Sequence, residues 1–112
     1  MEESRLISSY ENHPTQKGVY IKHFFLGEDT KGLFNNLEVR IEPGCEIKSH
    51  IHEDSAEYFY IAKGCGKFLL NGEWEHVRAG DALFSPKGVE HAIKNITNDP
   101  LILFSTFSPP IK

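Results

Sequence analysis

Two cysteines in 112 residues are too few for a disulfide framework, so the chain does not read as a small secreted scaffold held by cross-links. Free thiols are the expectation at Cys45 and Cys65. No apolar stretch approaches the ~18 residues of a membrane-spanning helix. Basic residues are in the minority, 12 Lys and Arg against 16 Asp and Glu, and no run of either exceeds two residues. A net charge of −4 and a pI near 5.8 argue against a nucleic-acid partner, because binding a phosphate backbone needs a positive field. The N-terminus, Met1-Glu2-Glu3-Ser4-Arg5, carries acids where a secretory signal has a basic region, and no apolar segment follows. Internal repeats, low-complexity tracts and a convincing helical period are all missing. These absences point to a globular, cytoplasmic protein without a membrane or nucleic-acid partner.

What is present is bulk and alternation. Aromatics make up 12% of the chain, eight of them Phe, and 25% of residues are charged, which suits one domain with a small core and an ordinary polar surface. Residues 1–18 are polar and read as an irregular arm, with a short edge strand around Leu6-Ile7. Residues 19–110 read as a single domain of nine or ten short strands. In the segment Phe34 to Glu42, Leu37, Val39 and Ile41 share one face and Glu38, Arg40 and Glu42 the other, the mark of a half-buried strand. Other strands are expected at Val19 to Leu26, Ile47 to His52, Tyr58 to Ala62, Lys67 to Leu70, Trp74 to Val77, Ala82 to Ser85, Ala92 to Ile96 and Leu101 to Phe107. Asn71-Gly72 is the strongest hairpin signal in the chain. Many short strands between turn signals call for a sandwich or barrel.

Ten residues form a two-part pattern: Gly44-x5-His50-x-His52-x4-Glu57-x6-Gly64, then Gly80-x5-Pro86-x-Gly88-x2-His91-x3-Asn95. At average Gly and Pro usage, ten fixed positions arise by accident with a probability of about 10⁻¹⁰ or less, which removes chance as an explanation. His50 and His52 are two apart and leave the same face of an extended strand. Glu57 shares parity with the inward Phe59 and Ile61, and His91 opens a third apolar run. Three strands can thus bring three imidazoles and a carboxylate to one point. The glycines and the proline sit where the chain must turn. Such a donor set suits one divalent transition metal per chain, Mn, Fe, Co, Ni or Zn, and is wrong for Ca or Cu(I).

This pattern resembles the cupin superfamily, matching both of its motifs without a substitution or a change of spacing. The resemblance implies an all-β fold, the small antiparallel β-barrel or jelly roll of single-domain cupins, with His50, His52, Glu57 and His91 as metal ligands. It also implies a homodimer, in agreement with the need to cover an open sheet edge. Reaction type does not follow from the fold. Two functions are expected: a metal-dependent enzyme on a small oxygen-bearing organic molecule, dioxygenase-like or a non-redox isomerase or lyase, or a non-catalytic small-molecule-binding or sensory module. Some small cupins acting on sugar acids carry a charge near the closing strand, whereas Leu103 to Ile111 has none, which speaks against that substrate class.

Strict alternation would place Lys48 on the metal face, where its ammonium fixes an anionic substrate or acts as a catalytic base; the alternative is a rim lysine in water. Tyr58 and Tyr60 are expected on the outer face. Phe24, Phe34, Phe84 and Phe104 are candidate core residues, some of them cavity-lining. Outside the motifs, His76 is expected to be exposed. His23 has inward parity and reads as a satisfied core histidine sooner than a fifth ligand.

Overall fold

The alternation is realised strand by strand in a computed structural model, which describes residues 10–111. Ten strands occur in it: β1 (Glu11–Asn12), β2 (Val19–Phe25), β3 (Asn35–Ile41), β4 (Glu46–His50), β5 (Ala56–Lys63), β6 (Cys65–Leu70), β7 (Glu73–Arg78), β8 (Ala82–Ser85), β9 (His91–Lys94) and β10 (Leu101–Ser108). They pair antiparallel in two sheets, β1-β2-β3-β10-β5-β8 and β4-β9-β6-β7, and the all-β jelly roll expected from the sequence is the fold observed. The described residues contain no helix, hence none long and apolar enough to cross a membrane. The strand expected around Leu6-Ile7 lies outside the described residues.

Leu37, Val39 and Ile41 of β3 face inward as their parity requires, and meet Phe59 and Ile61 of β5 and Leu101, Leu103 and Phe107 of β10. The second sheet adds Phe68, Val77 and Ile93. Each such side chain contributes about 1.5–3 kcal/mol when fully withdrawn from water. Asn71 and Gly72, both at positive φ (49° and 87°), close the β6–β7 hairpin as expected. Asn95, the last motif residue, is a brace: its buried amide donates to the carbonyls of Ile41 (3.0 Å) and Asp99 (2.7 Å), and its oxygen accepts from the Thr97 N–H (2.9 Å).

The core aromatics are Phe59, Phe68 and Phe107. Phe24, Phe84 and Phe104, candidates for the core from composition, are instead exposed, and Phe34 is half-buried. The reason is parity: each of the three alternates with an inward neighbour, as Phe104 does with Leu103 and Ser105. Phe104 packs with Phe24 (5.7 Å between centroids) and Tyr60 (6.4 Å), while Tyr58 packs with Phe84 (4.9 Å), giving the outer face of the six-stranded sheet an aromatic strip. Tyr58 and Tyr60 are outward, as expected.

Candidate metal centre

Two strands of the smaller sheet and one of the larger meet at the centre. β4 and β9 are neighbours, and His50 and His91 are register partners across them. Glu57 projects inward from β5 in the opposite sheet. β4 ends at His50, two residues short of the expected end, so His52 belongs to the β4–β5 connection. It is held there by its ring against Phe107 (5.1 Å) and by its carbonyl, which accepts from the Gly88 N–H (2.9 Å). One donor atom from each of His50, His52, Glu57 and His91 lies within 4.8 Å of the others, so these four residues could hold a metal ion.

Hydrogen bonds assign the tautomers. His50 Nδ1 lies 2.7 Å from the Lys48 carbonyl, which only accepts, so Nδ1 carries the proton and Nε2 the lone pair. His91 Nδ1 lies 2.8 Å from Ser85 Oγ and 3.3 Å from the Val89 carbonyl, to which the Ser85 hydroxyl also donates. His91 Nδ1 is therefore the donor too. Its Nε2 lone pair then stands 2.9 Å from Glu57 Oε1 without hydrogen-bond alignment, and both atoms are buried with no partner. A lone pair facing a carboxylate oxygen in a buried site is repulsive unless a cation lies between them. That orphaned pair is what a metal ion would satisfy, and the donor set fits one. Burial pushes the His52 imidazole pKa below its ordinary value; Glu57 opposes this, and His50 and His91 add to it. A neutral His52 keeps its lone pair for a metal.

Lys48 takes the second of the two places expected for it, the rim, and not the metal face. The ladder slips between Ile47, opposite Ile93, and His50, opposite His91, so three steps on β4 match two on β9. This bulge turns Ile47 toward the core and interrupts the alternation that would have put Lys48 beside His50. The Lys48 side chain is exposed at the cavity rim.

A cavity of about 550 Å³ runs from the four residues into the space between the sheets, its walls formed mainly by apolar side chains such as Ile21, Leu37, Val39 and Leu103. The arm contributes to it. His13 Nδ1 accepts from the backbone N–H groups of Thr15 and Gln16 (3.1 Å each), Gln16 Oε1 accepts from the Lys48 N–H (3.3 Å), and both side chains line the mouth. Burial, and then the nearby His50 imidazole, hold the His13 pKa low. Sequence reasoning missed Ser85, His13 and Gln16. Ser85 shares inward parity with Leu83, a signal that was readable; nothing local reveals that the arm folds back. His23 lines the cavity as its parity indicated, but it is not the satisfied core histidine expected, since its Nδ1 is buried without a partner. His76 is exposed, and both cysteines are free.

The family described as "Cupin domain" matches residues 37–107. An oxalate-binding protein of Thermotoga maritima is 36% identical over 63 residues, covering 56% of this chain and 52% of that protein. Tetracenomycin polyketide synthase protein TcmJ of Streptomyces glaucescens is 31% identical over 80 residues, covering 71% of this chain and 52% of the other. The chain thus spans about half the length of these relatives. Among solved structures, a predicted oxalate decarboxylase from Thermotoga maritima superposes with a TM-score of 0.87 at 27% identity, over 94% of this chain and 96% of that one.

Proposed function

Because this chain belongs to the Cupin domain family, we propose that it is a metal-dependent enzyme acting on a small oxygen-bearing organic molecule, which reaches one divalent transition metal through the cavity. The observation that carries this reading is the orphaned pair His91 Nε2 and Glu57 Oε1, set among four donors at the end of a largely apolar cavity. His50, His52, Glu57 and His91 would hold the ion. When bound, it supplies Lewis acidity toward a substrate oxygen and, if redox-active, electrons. The chain's own residues do the rest. The Lys48 carbonyl and Ser85 hold the His50 and His91 rings with Nε2 directed at the site, the role of outer partners in tuning a metal ligand. The apolar walls exclude water, and the Lys48 ammonium at the rim draws anions inward.

The name of the oxalate-binding relative favours a second reading, a binding or sensory module without turnover. The test is to load the protein with Co(II) and add catechols, enols and keto acids while recording the visible spectrum, then to assay oxygen uptake and product. We expect chelating oxygen ligands to shift the spectrum. Lys48→Ala should weaken anionic ligands more than neutral ones, by a margin that shrinks with added salt. An unresponsive spectrum would rule out an open metal site, and a shift without turnover would favour the binding module.

The homodimer is likewise our proposal, supported by the aromatic strip of Phe24, Tyr60 and Phe104, a surface suited to cover by a second copy. Light scattering that gave the mass of one chain at micromolar concentration would exclude it.

A further inference from the structure

Among the described residues, three buried side-chain nitrogen or oxygen atoms have no hydrogen-bond partner: Glu57 Oε1, His91 Nε2 and His23 Nδ1. The first two belong to the metal centre. The third does not, because His23 is not one of the four clustered residues, yet its ring lines the same cavity. Leaving a buried nitrogen unsatisfied costs about 1–3 kcal/mol, and a leucine at this position would pack against the apolar wall without that penalty. Stability therefore gives no reason for an imidazole here.

The register places His23 far from the metal centre. His23, Leu37, Ser105 and Phe59 are successive partners across β2, β3, β10 and β5, and Glu57 lies two residues from Phe59. Three strand spacings separate the backbones of His23 and Phe59, about 14 Å along the sheet. The wall between them is mostly apolar, with Leu37 and Leu103 on it beside the single hydroxyl of Ser105, and Asn35 nearby already uses its side-chain oxygen to accept from the Ile111 N–H (3.0 Å). A volume of about 550 Å³ is that of a pocket enclosing a much larger molecule.

We infer that His23 is a second polar anchor of this cavity, hydrogen-bonding a hydroxyl or carbonyl at the far end of a ring-sized, oxygen-bearing ligand whose near end meets the metal centre. The inference rests on the proposed function and narrows its substrate class to flat, largely apolar molecules with oxygens at both ends. An imidazole suits the role because it can both donate and accept. His23 is a specificity residue here, with no part in the chemistry at the metal.

The experiment uses the full chain loaded with Co(II), under anaerobic conditions, and three probes: catechol, 2,3-dihydroxynaphthalene and 2,3,6-trihydroxynaphthalene. Calorimetry should give the trihydroxy probe about fivefold tighter binding than the dihydroxy probe, the worth of one net hydrogen bond. His23→Leu should abolish that preference, leave catechol within about twofold, and hold or raise the melting temperature, since it removes an unsatisfied group. His23→Gln should retain most of the preference. Equal affinity for the two naphthalenes in the unaltered protein would overturn the inference, as would an equal loss for catechol. An unfolded or clearly less stable leucine variant would overturn it as well, by marking His23 as structural. If no probe binds or shifts the cobalt spectrum, the open metal site itself fails; binding of catechol without a preference for the distal hydroxyl defeats only the role of His23.

Discussion

His91→Ala is expected to strip about nine-tenths or more of the metal from the purified protein while leaving its β-sheet circular dichroism intact. Removing even an outer partner of a metal ligand costs 10–100-fold in affinity, and a ligand contributes more. His91 is also the residue whose Nε2 faces Glu57 Oε1 at 2.9 Å, so its loss removes a donor from the most buried part of the site. The fold should survive, because the apolar core of β3, β5 and β10 does not depend on the imidazole. Linkage supplies an independent readout. A metal present at a hundred times its dissociation constant stabilises the folded state by about 2.7 kcal/mol. Chelation should therefore lower the melting temperature of the unaltered protein by about ten degrees or more. The variant should melt at the same temperature with and without chelator. Full metal content in His91→Ala, measured by elemental analysis, would remove His91 from the ligand set.

Gly64→Ala should destabilise the protein by about 3 kcal/mol, combining the 1–2 kcal/mol of a left-handed backbone with the 1–3 kcal/mol of overpacking. Gly64 has φ +89°, and a Cβ there would lie 2.6 Å from the Pro100 carbonyl oxygen and 3.2 Å from the Leu101 Cα, both backbone atoms. Neither can move without shifting the start of β10, whose Leu101 and Leu103 are in the core. Gly80→Ala is the internal control, because Gly80 has φ +98° but nothing within 4 Å of its Cβ. It should carry the backbone strain alone, about 1–2 kcal/mol. Urea denaturation of the two variants separates the terms. Equal losses would mean that the approach of the Pro100 carbonyl is not what demands glycine at position 64.

By itself the sequence determined those features that rest on local periodicity and turn chemistry. Alternation at Leu37, Val39 and Ile41 announced an inward face, and Asn71-Gly72 a hairpin, because side-chain parity and positive φ are properties of a few adjacent residues. The candidate site was legible for a related reason. Glycines between the runs mark where strands begin, and strand parity then points Glu57 and His91 inward with their apolar neighbours Phe59 and Ile93. Only the tertiary structure decided the rest. The bulge between Ile47 and His50 is defined by β9, a strand more than forty residues away, and it alone moves Lys48 to the rim. The loop position of His52 and the return of His13 and Gln16 to the cavity mouth depend on contacts between distant segments. Whether an inward imidazole finds a partner is likewise a property of the packed interior. Parity could point His23 into the barrel, but only the assembled sheets leave its Nδ1 buried and unsatisfied.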